Sequence, residues 1–386
     1  MVYLDYNATT PVDQRVIDTM MDAYENHPGN AGSRTHVIGD DCRRIVEKAR
    51  TQVAALGGID SSGVIFTSGA TESDNIALRG LAEYGRNTGR MHLLISSIEH
   101  KAVINSAKVL ANEGFDVEWI PVDKTGSISV ADAMERVRHD TLLVSVMHVN
   151  NETGVIQPVR ELGERIADDY PETFFHIDAA QSFGKLVSDI RTLTYSMMSV
   201  TAHKMYGPQG IGALLLRQQS YAFPPVRSVL LGGGQERGIS PGTQPVALIA
   251  GFGKAAELSS ACWVADCAME RGIRDSLLSA LDASGLSYDI NGLSSLCTPN
   301  CINVSFEGVS SEALMMMTRQ KLSISNGSAC TSGSYEPSYV LMAMGLGRDR
   351  AESAIRISWG RMSNVTDVSE AFEGLIEVAK ELQGIA

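Results

Sequence analysis

The feature that most constrains the fold is a recurring unit: an apolar, β-prone run, a turn of small residues, then a stretch with helical spacing. GVIFTSGATESDNIALRGLAEYG, MHLLISSIEHKAVINSAKVLANEG and TLLVSVMHVNNETGVIQPVRELGERIADDY all follow this order. FFHIDAAQSFG and YSMMSVTAHK add two strand ends, and the apolar IGALLL follows a turn. Strands separated by helices return parallel rather than as hairpins. The order therefore predicts an α/β fold, a mostly parallel or mixed sheet covered by helices, with function in the loops beyond the strand ends.

From about Ala247 the pattern changes to a long helix through Met269, followed by the INVSF region and a final α/β section. A chain of 386 residues fits a large domain plus a smaller one. The boundaries expected are 14–255 for the large domain, with 1–13 and 256–386 forming the smaller one. The run Met315, Met316 and Met317 falls in a predicted helix and is expected to fill core.

Composition excludes several classes. A formal charge of -13, from 32 basic and 45 acidic residues, opposes direct association with nucleic acid or anionic membranes. Charges, glycines or prolines interrupt every apolar run before the roughly eighteen residues a bilayer crossing needs. The start, MVYLDYNATTPVD, lacks a basic region followed by an apolar core, so no secretory signal is expected. Six cysteines without a CxxC pair are too sparse for a disulfide scaffold, and a reducing cytoplasm is the expected compartment.

Five segments carry candidate chemistry. In SVTAHKMYGPQG, Lys204 stands beside His203 at the end of an apolar run. A lysine that forms a Schiff base must be partly desolvated and rigidly held, though an amine capping a strand end has the same local sequence. In TSGATESDN, Gly69 supplies a tight turn, Ala70 allows close approach, and Thr71 places a hydroxyl near unpaired helix N–H groups. That is either a phosphate cradle or a capping box formed by Thr71 and Asp74. In HIDAAQ, containing His176, Asp178 and Gln181, the Asp178 carboxylate can pair with a protonated aromatic nitrogen or satisfy loop amides.

Asn151 in VNNETG can donate to a ring hydroxyl, and the His100 imidazole in SIEHKAV can stack or move a proton; ordinary turn or packing roles stand beside both. In NGSACTSG, small neighbours expose the Cys330 thiol, which is either a nucleophile or inert. Arg356 in IRISWGR has a fork suited to a carboxylate, of a substrate or of the chain itself.

Taken together these segments resemble the cysteine desulfurase (NifS/IscS-like) family, in the class V branch of the fold-type I pyridoxal-phosphate enzymes. The likeness runs nearly end to end, through LDYNATTPVD, GNAGSRTH, FTSGATESDN, EHKAV, HVNNETGVIQP, HIDAAQSFGK, AHKMYGPQGIGAL, GGGQERG, NGSACTSG and RISWGR. It implies a large domain with a central, mostly parallel seven-stranded sheet plus a smaller α/β C-terminal domain. It also implies pyridoxal 5'-phosphate as cofactor and a homodimer as the working unit.

By residue, the resemblance implies that Lys204 holds the cofactor aldehyde, Asp178 pairs with the ring nitrogen, and His100 stacks on the ring and carries protons. Ala70, Thr71, Thr201 and His203 would bind the phosphate region, and Asn151 and Gln181 the ring substituents. Thr243 would reach the partner subunit's cofactor phosphate. Arg356, helped by Asn30, would clamp the carboxylate of L-cysteine. Cys330, on a mobile loop of about 323–336, would take the sulfur as a persulfide, leaving alanine.

The sulfur would pass to an acceptor protein for iron-sulfur cluster assembly, tRNA thiolation or DNA phosphorothioation. A selenocysteine lyase, another pyridoxal-phosphate enzyme or a non-catalytic sulfur-assembly scaffold are the alternatives. Three departures stand out: Ala31 where the family has proline, Ser240 and Pro241 where many members have a basic residue, and Thr201 for serine. The chain ends at Ala386 without the extended tail of some relatives, which weakens the expectation of a housekeeping scaffold as partner.

Overall fold

The computed structural model describes residues 1–218, 222–327 and 336–384. Its central sheet has seven strands: β2 (Val64–Thr67), β3 (His92–Ser96), β4 (Asp116–Ile120), β5 (Thr141–Ser145), β6 (Phe174–Asp178), β7 (Met197–Thr201) and β8 (Gly212–Leu216). The order across the sheet is β2-β8-β7-β6-β5-β3-β4. Only β8 is reversed, antiparallel to both β2 and β7, so the sheet is mostly parallel as expected.

Every residue of β2, β3, β5, β6, β7 and β8 is buried. Helices on both faces demand this, which is why these strands read as continuous apolar runs rather than alternating ones. The edge strand β4 instead exposes Asp116 and Trp119. Charge at an edge discourages pairing with another chain.

A second core contains Leu4, Ile302, Val304, Ile355, Ile357, Trp359 and Phe372. It packs around a three-stranded antiparallel sheet of β9 (Tyr288–Ile290), β10 (Cys301–Phe306) and β12 (Ala354–Ser358). The N-terminal β1 (Val2–Tyr3) pairs in parallel with β11 (Leu322–Ser323), so the first residues lie beside this core and not at the start of the large sheet. Ser323 belongs to β11, and Ser325 exchanges both backbone hydrogen bonds with Arg356 at 3.2 and 2.6 Å. The described beginning of the expected 323–336 loop is thus paired chain.

The long helix runs Val246–Ser284, well past Met269. Proline is absent from its interior, and it stops only where Gly285 adopts φ 76°. Its first half, including Phe252 and Ala256, packs in the core of the large sheet, and its second half, including Ile273 and Leu281, packs in the second core. The methionine run also differs from expectation. Met315 is partly buried against the second core, but Met316 and Met317 are 59% and 51% exposed. Three consecutive helical residues span too wide an arc to share one face.

Among the described residues no helix is long and apolar enough to cross a membrane, and the five described cysteines are all free.

Candidate active site

The carboxyl ends of β2, β3, β5, β6 and β7 open on a cleft of about 710 Å³, the place where parallel sheets gather ligand-binding loops. Lys204 ends a single helical turn, Ala202–Lys204, directly after β7. Its Nζ donates to the backbone carbonyls of Asn7 and Ala8, each at 2.5 Å. The N-terminal segment therefore forms a wall around the lysine. Thr10 tightens that wall: its N–H and its hydroxyl both donate to the His203 carbonyl at 2.9 Å. Tyr206 lies in the left-handed region at φ 65°, held by a 2.8 Å bond from its N–H to Thr10 Oγ1. A non-glycine residue keeps such a conformation only when its surroundings impose it.

Asp178 ends β6 with 4% exposure, and its Oδ1 accepts from Ala180 N at 2.9 Å. Burial pushes its carboxyl up, while His100, the Ala180 N–H and Lys204 pull it down. A buried carboxylate held this way favours a cationic partner. His176, two residues earlier on β6, is held between Ser145 Oγ and Ser199 Oγ, both at 2.9 Å, and does not line the cleft. Burial pushes it down to about 3, so it is neutral and plays no part in the cleft.

Gln181 Nε2 donates to the Asn7 carbonyl at 2.9 Å, the same oxygen that receives Lys204. Lys185 approaches Gln181 Oε1 from behind at 3.5 Å. Across the cleft, His100 caps the helix Lys101–Asn112, its Nδ1 accepting from Ala102 N at 3.2 Å. Burial lowers the His100 pKa, opposed by Asp178. The accepting Nδ1 and the burial both favour neutral imidazole with its proton on Nε2.

The helix Ala70–Arg79 points its N-terminus into the cleft with no side-chain cap on its first amides. Gly69, at φ 155°, makes the turn, and a Cβ on Gly212 would lie 2.7 Å from Gly69 Cα. The capping box between Thr71 and Asp74 does not form. Thr71 is inside the helix, and Asp74 is fully buried without a hydrogen-bond partner. Glu72 reaches back instead, accepting from Ser68 N at 2.7 Å and from Ser240 Oγ at 2.8 Å. Ala70 and Thr71 line the cleft with Thr201 and His203, whose Nδ1 lies 3.2 Å from Thr9 Oγ1. Burial and the neighbouring Lys204 and Lys185 push His203 down to about 4.

Asn151 lines the cleft, and its Oδ1 is buried without a partner. Its backbone carbonyl accepts from Asn7 Nδ2 at 3.3 Å and from Arg356 Nη1 at 3.0 Å. Arg356 Nη2 donates to Asp5 Oδ1 at 2.6 Å, and its buried Nε has no partner.

Ten of the residues expected from sequence thus face one cleft: Ala70, Thr71, His100, Asn151, Asp178, Gln181, Thr201, His203, Lys204 and Arg356. Two do not. Asn30 is exposed outside the cleft lining, and its Oδ1 accepts from Gly32 N at 2.8 Å, an internal turn contact. Thr243 is exposed and also outside the lining. Cys330 lies outside the described residues.

Three contributors carry little signal in the sequence. The Asn7 and Ala8 carbonyls act through backbone, which no residue type marks. Glu236, in GGGQERG, accepts from Arg50 Nη1 and Nη2 and from Phe66 N, all at 2.8 Å, and so fixes β2 just before the Ser68–Gly69 turn. An acidic residue inside a glycine-rich run was the available clue.

The arrangement fits pyridoxal 5'-phosphate. An amine, a buried carboxylate, an unpartnered amide oxygen and uncapped helix amides face one volume, matching an aldehyde, a ring nitrogen, a ring hydroxyl and a phosphate.

The aminotransferase class-V family profile matches residues 2–370. The chain is 42% identical over 386 residues to a cysteine desulfurase IscS from Anaeromyxobacter sp. (strain Fw109-5), covering 99% of this chain and 93% of that protein. It superposes on the solved structure of a NifS-like protein with TM-score 0.91 and 34% identity, covering 98% and 99% of the two chains. A structure described as SspA in complex with cysteine matches with TM-score 0.80 and 34% identity, covering 93% and 98%.

Proposed function

The chain belongs to the aminotransferase class-V family, in its cysteine desulfurase branch, and from that membership we propose how its residues convert L-cysteine to L-alanine and pass on the sulfur. The observation that carries the reading is the placement of Lys204, Asp178 and Arg356 around one cleft. When bound, pyridoxal 5'-phosphate supplies an aldehyde for the substrate amine and an electron-withdrawing ring.

Lys204 would hold the cofactor aldehyde through its Nζ, and as a free amine it would be the base for the proton on the substrate α-carbon. Asp178 would pair its carboxyl with the ring nitrogen, and Asn151 and Gln181 would orient the ring substituents. The uncapped amides at Ala70 and Thr71, with Thr201 and His203, hold the phosphate. Because His203 is neutral, hydrogen bonding rather than charge is its contribution. Arg356 takes the substrate carboxylate through its fork. Neutral His100, with Nδ1 occupied, has its Nε2 proton to give.

Cys330, as thiolate, attacks the substrate sulfur: an S–S bond forms, the C–S bond breaks, and the electron pair left on carbon takes up protons to give alanine. The resulting Cys330 persulfide donates to an acceptor protein serving iron-sulfur cluster assembly, tRNA thiolation or DNA phosphorothioation. The complex with cysteine in a neighbouring structure supports the choice of amino acid. The working unit in this reading is a cytoplasmic homodimer in which the exposed Thr243 of each chain serves the other's phosphate site.

The test is L-cysteine turnover with simultaneous alanine and sulfur measurement and peptide mapping. Equal yields with persulfide on Cys330 are expected. Alanine formed without modification at Cys330, or no alanine at all, would overturn the reading.

A further inference from the structure

Glu152 follows Asn151 in the turn that holds Arg356, and none of the steps above uses it. It is 2% exposed, yet its carboxyl is not idle. Ser338 Oγ donates to Glu152 Oε2, and the same hydroxyl caps the helix Tyr339–Ala343 by accepting from Leu341 N at 3.2 Å. From the other side comes Gly327. A Cβ built on Gly327 would lie 2.1 Å from Glu152 Oε2 and 2.8 Å from Ser338 Cβ. Only glycine lets the chain pass this close to the carboxyl.

Gly327 and Ser338 stand on either side of residues 328–335, the span that contains Cys330. The two flanks of that span therefore meet at one buried acid. The acid is itself anchored: Glu152 N donates to Asn150 Oδ1 at 2.9 Å, and its carbonyl accepts from Asn303 Nδ2 in β10 at 3.1 Å. Gly327 also lines the cleft that holds Lys204.

We propose that Glu152 is a positioning residue for sulfur transfer, its carboxyl joining Gly327 and Ser338 so that both ends of the Cys330 segment are fixed to the wall of the cleft. The proposal rests on the assignment of Cys330 as the sulfur acceptor. Burial pushes the Glu152 carboxyl up to about 7, while the Ser338 bond and the charges of Arg356 in β12 and Lys101 pull it down. The Ser338 bond thus favours the anion, against the larger effect of burial, which favours the neutral acid.

The experiment compares Glu152→Ala, Glu152→Gln, Gly327→Ala and Ser338→Ala in the full chain. Amide hydrogen exchange is read in peptides covering both flanks, with and without pyridoxal phosphate. Persulfide formation on Cys330 and the spectral titration with L-cysteine are read in the loaded enzyme. Glu152→Ala and Gly327→Ala are expected to speed exchange in both flanks about tenfold. Persulfide formation should slow about tenfold to a hundredfold, because a small displacement of the attacking atom is costly. Apparent L-cysteine affinity should stay within about threefold, and Glu152→Gln, which keeps an oxygen for Ser338, should recover most of the loss.

Exchange unchanged in either flank of Gly327→Ala and Ser338→Ala would overturn the proposal even if Glu152→Ala fails to fold. Faster exchange with persulfide formation at the wild-type rate would also overturn it. Alanine production by the wild type without persulfide on Cys330 would fell the functional reading instead, and the exchange measurement would still decide whether the clasp exists.

Discussion

Arg356 Nη2 donates to Asp5 Oδ1 at 2.6 Å, joining residues 351 positions apart at the wall of the cleft. The guanidinium is further oriented through Nη1 by the Asn151 carbonyl, and its side chain is only 6% exposed. Nη2 is thus held by Asp5 near the start of the chain while Nε remains without a partner. A pre-oriented, desolvated guanidinium suits bidentate binding of a small carboxylate.

Replacing Arg356 by lysine keeps the charge and removes the fork. The KM for L-cysteine should rise about tenfold to a hundredfold, with a smaller change in kcat and an unaltered cofactor spectrum. Steady-state kinetics on the loaded variant measure this.

Asp178→Asn keeps the shape at the end of β6 and removes the charge. Alanine formation should fall by about 10²- to 10³-fold, the usual cost of losing one preorganised electrostatic partner. The amide also discards the charge that holds the ring, so cofactor should be lost more readily on dialysis. Single-turnover rates and residual absorbance separate the two effects.

Glu236 predicts a stability effect outside the cleft. Its side chain is 3% exposed and that of Arg50 12%, and Arg50 also lies over the Phe66 ring at 4.7 Å. Glu236→Gln leaves the largely buried guanidinium with only the exposed Glu47 carboxylate, 3.1 Å from its Nε, as counterion. The cost should be about 2–3 kcal/mol in urea unfolding of the cofactor-free protein.

The acid–base behaviour of Glu152 gives a fourth test. Its folded-state pKa of about 7 lies above the ordinary carboxylate value, so the native state holds a proton that the unfolded chain releases. The contribution to stability is full below the unfolded pKa and lost as pH rises through about 7. It amounts to about 3 kcal/mol. Glu152→Gln should flatten that part of the stability profile between the two pKa values, as read by denaturation at a series of pH values.

The sequence made the sheet legible because its fully buried strands are mostly apolar runs, two of them leading to a charged residue: Asp178 closes β6 after FFHI, and Lys204 comes three residues after β7. Burial on both sheet faces forces that pattern, so strand ends and cleft residues emerge together. What stayed hidden acts across long separations or through backbone. The Asn7 carbonyl that receives both Lys204 and Gln181 has no side-chain signature. Asn30 sits in a recognisable segment, yet its side chain closes its own turn on Gly32. The full reach of the helix Val246–Ser284 was equally obscure, because its packing face changes from one core to the other and no single periodicity spans it.

The most direct test of the central claim is borohydride reduction of the protein loaded with pyridoxal phosphate, followed by peptide mapping. The account predicts the pyridoxyl mass on Lys204, and no fixed cofactor in Lys204→Ala. Recovery of that mass on Lys185 or Lys101 instead, or cofactor that binds yet is never fixed by reduction, would contradict it.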